Sequence, residues 1–225
     1  MNNILFFGAS GRLGSVWIKN LLNTSKKNKI FAQINKNKIK KHKFLNLVNL
    51  NIEDQVEIKN FCQKNSISII VNCIANTNVD LCERFPKETN KINYSIAKKL
   101  CEISKNLKIS YIFISTDMLF NGKSKKKYTE RSRVTPLNVY AKTKLKAEKF
   151  IKKYQKSLII RTNFFGKSNS NKITFSDSII KFRKKKIYLW KDIFFNPVHI
   201  KVLIKIINFL INKGIFGTYN ICSNQ

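Results

Sequence analysis

Short, uninterrupted apolar runs alternate along most of the chain with segments whose apolar positions recur at helical spacing. Asn3-Ile-Leu-Phe-Phe-Gly8 is apolar up to its closing glycine, the pattern of a parallel strand buried on both faces. A helical stretch over Gly14–Leu22 follows, then strands over Lys29–Ile34 and Phe44–Leu50. Val56–Lys64 carries a helical pattern, and Ile67–Cys73 is a β-branched strand. A helix over Lys91–Asn106 precedes the strand Ile109–Ile114, and Val139–Ile151 is an amphipathic helix. This alternation predicts βαβ units and an α/β fold with a doubly wound parallel sheet. Beyond Gly166 the pattern is less regular, opening with the Ser/Asn-rich stretch Ser168–Asn171. A core over 1–165 and a smaller lobe over 166–225 are therefore expected. Gly217-Thr-Tyr-Asn-Ile-Cys222 is a last strand returning to the core.

Gly8-Ala-Ser-Gly11-Arg-Leu-Gly14 stands directly between the first strand and the first helix. Three glycines at this spacing answer three needs: a tight turn, backbone approach to a pyrophosphate, and close packing of helix on strand. The helix N-terminus behind them offers free N–H groups and positive dipole to phosphate. The loop marks a dinucleotide site on a Rossmann fold.

Two further segments carry chemistry. Tyr140-Ala-Lys-Thr-Lys144 places a phenol and an ammonium one turn apart on a helix. Such an ammonium is expected to lower the tyrosine pKa toward an acid–base range. YxxxK alone means little in a lysine-rich chain, and Tyr94 with Lys98 supplies a second copy; context singles out the first. Ser115-Thr116-Asp117 follows a strand at its carboxyl end, where α/β sheets place ligand contacts and a hydroxyl can polarise a carbonyl.

Composition changes this picture less than its extremes suggest. The 225 residues carry a formal net charge of +32, with 44 Lys and Arg against 12 Asp and Glu. Lysine supplies 38 of the cations and arginine only 6, whereas nucleic-acid readers favour the planar arginine fork. The excess is a solvated, composition-driven surface, and no specific nucleic-acid partner is expected. Five cysteines without a CxxC pair fit thiols in a reducing compartment. His42 and His199 are too isolated for a metal site. No run of about 18 apolar residues occurs and no signal peptide is evident, so a soluble cytoplasmic chain without a membrane span is expected.

The Gly8–Gly14 loop, Ser115-Thr-Asp-Met-Leu-Phe-Asn-Gly122 and Pro136-Leu-Asn-Val-Tyr-Ala-Lys-Thr-Lys144 occur in that order and together resemble an extended short-chain dehydrogenase/reductase. More narrowly the chain resembles the sugar-nucleotide-binding group of dTDP-4-dehydrorhamnose reductase. Val71–Glu83 and Ile160–Gly166 match segments of that group, and Asn93 falls on its structural asparagine.

The resemblance implies NAD(P)H-dependent reduction of a nucleotide-activated 4-keto-6-deoxy sugar in deoxysugar and surface-polysaccharide synthesis. An epimerase or dehydratase of the same fold, or a non-catalytic cofactor-binding regulatory subunit, are the alternatives. It makes Thr116, Tyr140 and Lys144 catalytic. Gly8, Ser10, Gly11, Arg12, Leu13 and Gly14 would wrap the pyrophosphate, with Asn51 and Ile52 near the adenine and Ile74, Ala75 and Asn76 alongside the dinucleotide. Tyr140 and Lys144 also meet the cofactor. Thr116, Asp117, Asn163 and Phe164 fall at substrate positions, Phe164 replacing a family tryptophan. The second strand ends in Gln33, Asn35 and Lys36 rather than an acidic residue, which favours NADPH, with NADH as the alternative. The resemblance also implies further substrate-lobe helices beyond Cys222, and it is compatible with a homodimer.

Overall fold

The computed structural model describes residues 2–24, 28–34, 42–124, 126–167 and 196–223. Its centre is a sheet of seven parallel strands: β1 (Asn3–Phe7), β2 (Lys29–Gln33), β3 (Leu45–Val48), β4 (Ile69–Asn72), β5 (Ser110–Ile114), β6 (Ser157–Thr162) and β9 (Gly217–Ile221). Their order across the sheet is β3-β2-β1-β4-β5-β6-β9, so the winding reverses between β1 and β4. A doubly wound sheet binds its ligand at such a reversal, at the carboxyl ends of the strands. A short parallel pair, β7 (Phe164–Phe165) with β8 (Val198–His199), lies beyond β6.

The apolar run of β1 is continuous because both faces of the sheet are covered. Phe6 turns to one side, against Trp17 of α1 (Arg12–Thr24) and against Leu203, Ile204 and Ile207 of α7 (Ile200–Asn212). The Phe6 and Trp17 rings meet edge to face at 5.4 Å, and the Trp17 indole donates to Asn208 Oδ1 at 2.8 Å. Leu5 and Phe7 turn to the other side, joining Ile58 of α2 (Gln55–Lys64), Leu100 of α5 (Ile96–Asn106), Ala147 of α6 (Val139–Ile151) and Phe113. α7 and β9, both beyond residue 165, thus complete the main core. No helix among the described residues is long and apolar enough to cross a membrane.

Most element boundaries fall within a residue or two of the expected ones. The largest difference is at the helix expected over Lys91–Asn106. It is a π-helical turn, Lys91–Ser95, running into α5, preceded by two short helices, α3 (Val79–Arg84) and α4 (Pro86–Asn90). Asn78 starts α3 by accepting the Leu81 amide, and Pro86 stands in the first turn of α4. Asn138 starts α6 likewise, its side chain accepting the Ala141 amide at 2.8 Å. That cap fixes the register at which Tyr140 and Lys144 enter the helix.

Candidate active site

The loop from Gly8 to Gly14 turns the chain from β1 into α1. Gly8 has φ of +76°, and a Cβ there would lie 2.7 Å from the Cys73 carbonyl carbon and 2.8 Å from the Ile74 amide nitrogen. A Cβ on Gly14 would strike the Gly8 carbonyl oxygen and come within 3.0 Å of Ala9 Cα. Gly11 is different: only the Gly8 oxygen, at 3.1 Å, lies within reach of its Cβ, and the remaining space is open. Two of the glycines therefore serve packing inside the protein, and Gly11 faces room for a ligand. Leu13 is buried beneath the loop, while Ser10 and Arg12 are half-buried at its surface. No acidic residue stands in the first turn of α1 to compete for its amides.

Beside the loop, the end of β4 continues through Ile74, Ala75 and Asn76, all half-buried. The Ile74 amide donates to Asn72 Oδ1 at 2.9 Å. Asn93, buried in the π-helical turn, accepts the Asn76 amide at 2.8 Å and donates to the Asn76 carbonyl at 3.1 Å and to Thr143 Oγ1 at 3.2 Å. One asparagine side chain thus ties the strand-end segment to the helix bearing Tyr140 and Lys144. A π-turn, with its extra residue, is a recurrent way of aiming such a side chain at a site.

The carboxyl end of β5 supplies Ser115, Thr116 and Asp117. Thr116 accepts the Met118 amide at 3.2 Å and donates to Asp117 Oδ1 at 3.3 Å, which fixes the turn Asp117–Leu119. Burial raises the Asp117 carboxyl above the usual range, while hydrogen bonds from Thr116 and Asn163 oppose that rise. Asp117 and Asn163 are therefore brought together from β5 and from the turn after β6. The Thr116 hydroxyl also reaches the Tyr140 phenol and favours its ionisation, but burial dominates and pushes the phenol up to about 12.

Lys144 does not sit where the sequence places its effect. Its Nζ donates to the Ile114 carbonyl and lies 3.9 Å from the centroid of the Phe113 ring. The lysine is buried, with 1% of its surface exposed, and this holds its pKa down to about 7. The expectation that an ammonium one turn away lowers the Tyr140 pKa is corrected: the phenol is raised, because desolvation of a phenolate outweighs what favours it.

Other expected positions are dispersed. Arg12 reaches across to the later segment, its guanidinium 5.5 Å from the Phe164 ring centroid and its Nη2 donating to the Gly166 carbonyl at 3.4 Å. Asn51 shapes the turn before α2, its Oδ1 accepting the Glu53 amide at 3.0 Å, with Ile52 half-buried beside it. Gln33 donates to the Ile34 and Leu50 carbonyls at 3.1 and 3.2 Å. Asn35 and Lys36 lie outside the described residues, as does the stretch 168–171.

One pair escaped the sequence reading. Glu148, one turn beyond Lys144, accepts from Arg161 of β6, at 3.1 Å to each carboxylate oxygen from Nε and 2.8 Å from Nη2. Both side chains are buried. The signal was present: an arginine within an apolar strand in a chain that uses lysine almost everywhere else.

The residues present fit a dinucleotide. Open space faces Gly11, unopposed α1 amides border it, and Ser115 Oγ is buried with no hydrogen-bond partner among the described residues. A buried hydroxyl left without a partner at the end of β5 is poised for a group brought by a ligand. The model of the RmlD substrate binding domain matches residues 1–225. The chain belongs to that family. It is 31% identical over 182 residues to the spore coat polysaccharide biosynthesis protein SpsK of Bacillus subtilis, covering 77% of this chain and 63% of that protein. It is 33% identical over 121 residues to the dTDP-4-dehydrorhamnose reductase of Escherichia coli, covering 52% of this chain and 39% of that one. The chain thus spans less than two thirds of these curated relatives. A dTDP-4-dehydrorhamnose reductase of Bacillus anthracis, solved in complex with NADP, superposes with a TM-score of 0.82 at 25% identity, covering 100% of this chain and 76% of that chain. The sheet order is that of a Rossmann-like member of this reductase-like family.

Proposed function

We propose that the chain is an NADPH-dependent reductase of a nucleotide-activated 4-keto-6-deoxy sugar, acting in deoxysugar and surface-polysaccharide synthesis. The observation that carries the reading is the convergence of Thr116, Tyr140 and the Asp117–Asn163 pair at the carboxyl edge of the sheet, two strands from the phosphate loop. Residues 1–165 would hold the dinucleotide and the proton donors, and 166–225 would contribute to the sugar lobe.

When bound, the dinucleotide supplies the hydride. The chain's own residues account for the rest. Gly8–Gly14 and the first amides of α1 would hold the pyrophosphate. Ile74, Ala75 and Asn76 would lie alongside the dinucleotide, with Asn51 and Ile52 near the adenine. Thr116 donates a hydrogen bond to the sugar ketone and polarises it. Tyr140, protonated near neutral pH because its pKa is about 12, delivers its proton to that oxygen as it becomes an alcohol. Lys144 would hold the nicotinamide ribose and offset the phenolate. Asp117, Asn163 and Phe164 meet the sugar nucleotide. The absence of a carboxylate at Gln33, with Lys36 following in sequence, favours NADPH over NADH.

The test is oxidation of NADPH by the purified chain with dTDP-4-dehydrorhamnose, followed by cofactor absorbance. Tyr140→Phe should lower kcat by roughly a hundredfold or more, the usual worth of a positioned acid. Unchanged turnover in that variant refutes the mechanism. Recovery of tightly held NAD⁺ with no net cofactor consumption would instead assign an epimerase or dehydratase.

A further inference from the structure

The loop between the Thr116–Asp117 turn and the helix that bears Tyr140 is tied to a third part of the fold. Residues 120–134 leave directly from the turn Asp117–Leu119 and rejoin the fold at Thr135, shortly before the Asn138 cap of α6. The Thr135 amide closes the neck of the loop by donating to the carbonyl of buried Leu119 at 2.8 Å. Beside the neck, the Phe120 ring stacks on Tyr128 at 4.4 Å with 14° between the planes, and the Arg161 guanidinium lies 5.6 Å from the Phe120 centroid. The Tyr128 hydroxyl donates to Asn121 Oδ1 at 2.9 Å and accepts the Ser124 amide at 3.0 Å. These contacts make an Ω-type loop, packed by its own side chains and hung from the active-site turn.

The far end of the loop reaches β9. Glu130 Oε1 accepts the Asn220 amide at 2.8 Å, and the Tyr128 carbonyl accepts Asn220 Nδ2 at 3.5 Å. Lys126, Lys127, Arg131 and Arg133 flank Glu130 in sequence, yet among the described residues it forms an ion pair with none of them. Its carboxylate takes instead a backbone amide 90 residues later. β9 is the last strand in the sheet order, and amides on the outer side of such a strand have no neighbour to meet. The next residue of β9, Ile221, accepts Thr162 Oγ1 through its carbonyl at 2.9 Å. Thr162 precedes Asn163 and Phe164. β9 thus holds both sides of the region proposed to meet the sugar: the loop that continues from Thr116 and Asp117, and the end of β6. We infer that Glu130 is a positioning residue, which fastens the loop 120–134 to β9 and so holds the Thr116–Asp117 turn in place. It acts through Tyr128, Phe120 and the Leu119–Thr135 neck. The inference rests on the proposed reductase reading for its catalytic meaning, and on these contacts alone for the hold on the turn.

The test compares Glu130→Ala with Glu130→Gln, which keeps an oxygen to accept the Asn220 amide, by amide hydrogen exchange of the full chain without cofactor. Glu130 is exposed, so neither change disturbs the core. Loss of a hydrogen bond to a charged acceptor should raise local opening, and with it exchange, about tenfold in Glu130→Ala. The rise should cover 115–120 and 128–135, where the Met118, Phe120 and Thr135 amides are bonded, and should leave the phosphate loop 8–14 unchanged. Glu130→Gln should restore most of the protection. In turnover with NADPH and dTDP-4-dehydrorhamnose, Glu130→Ala should lower kcat about tenfold while NADPH affinity holds, because a displaced turn misaligns the ketone and leaves the phosphate loop intact. Unchanged exchange over 115–120, or a rise that extends equally to 8–14, overturns the inference. So does faster exchange in an active chain whose kcat is unaltered. If the wild-type chain shows no turnover, the reductase reading fails, and exchange over 115–120 still decides whether Glu130 holds the turn.

Discussion

Gly8→Ala and Gly122→Ala separate two costs that a glycine usually confounds. Both glycines have nearly the same backbone, with φ of +76° and +73°. A Cβ on Gly122 would meet nothing within 4 Å, whereas one on Gly8 would meet three backbone atoms of Cys73 and Ile74 at 2.7–2.9 Å. The left-handed conformation costs an L-residue about 1–2 kcal/mol at either site. At Gly8 the clash is with backbone at the end of a buried strand, which cannot swing aside, and overpacking of that kind adds about 1–3 kcal/mol. The totals are about 2–5 kcal/mol for Gly8→Ala and about 1–2 kcal/mol for Gly122→Ala. At roughly 2–4 °C per kcal/mol for a chain of this size, Gly8→Ala should melt roughly 2–12 °C below Gly122→Ala. Urea titrations of the two variants give the same comparison as a shift in midpoint at constant slope. NADPH affinity should fall in Gly8→Ala and hold in Gly122→Ala. Equal stabilities would show that the approach of the phosphate loop to β4 does not require glycine.

Lys144→Met should remove a pH dependence. The lysine's pKa falls from 10.5 unfolded to about 7 folded, so the unfolded chain binds more protons between those values and this contribution to stability grows with rising pH. Cys62, Cys73 and Cys101, raised from 9.0 to about 12, act in the opposite sense above pH 9. Wild-type melting temperature should therefore rise from pH 7 to 9 relative to Lys144→Met, and a flat difference across that window rules out a buried, titrating lysine. Asn93→Asp retains the bond from the Asn76 amide but loses both donations, to Asn76 and Thr143. It should cost about 1–3 kcal/mol in chemical denaturation, and unchanged stability would show that the tie is not formed.

The parallel strands were legible because burial on both faces leaves short, unbroken apolar runs such as Ile4–Phe7 and Ile69–Val71, closed by turn residues. Tyr140 and Lys144 were legible as a pair because Asn138 caps α6 two residues before Tyr140, so the helical register is written locally. What was not legible depends on contacts distant in sequence. The direction of Lys144 is decided by the Ile114 carbonyl, 30 residues earlier. The Tyr140 pKa is decided by how much solvent the completed fold removes, which no spacing of residues records. Glu148 is, by sequence, one more charged helix position, and only the fold brings Arg161 of β6 against it. The π-turn was hidden for a related reason: its extra residue is fixed by Asn93 reaching back to Asn76, a tertiary contact and not a propensity.

The same distinction between local pattern and tertiary environment explains why the excess charge is uninformative and two particular cations are not. Many of the described lysines lie on helix faces open to water. There Lys91 and Lys99 pair with Glu53 at 3.0 and 2.8 Å, a kind of contact worth about 0–1 kcal/mol. Others lay their stems on aromatic surface, as Lys146 does 4.3 Å from the Tyr94 ring centroid and Lys98 at 5.3 Å from that of Phe150. Such a surface draws in any polyanion, a nucleotide sugar included, without choosing among them. Lys144 and Arg161 are the cations that the described residues bury, and each must be matched by specific partners because desolvation penalises any charge left uncompensated. That requirement places both of them between α6 and the carboxyl half of the sheet, where Thr116 and Tyr140 also lie. In a chain this rich in lysine, the cost of burying a cation identifies the site better than the number of cations does.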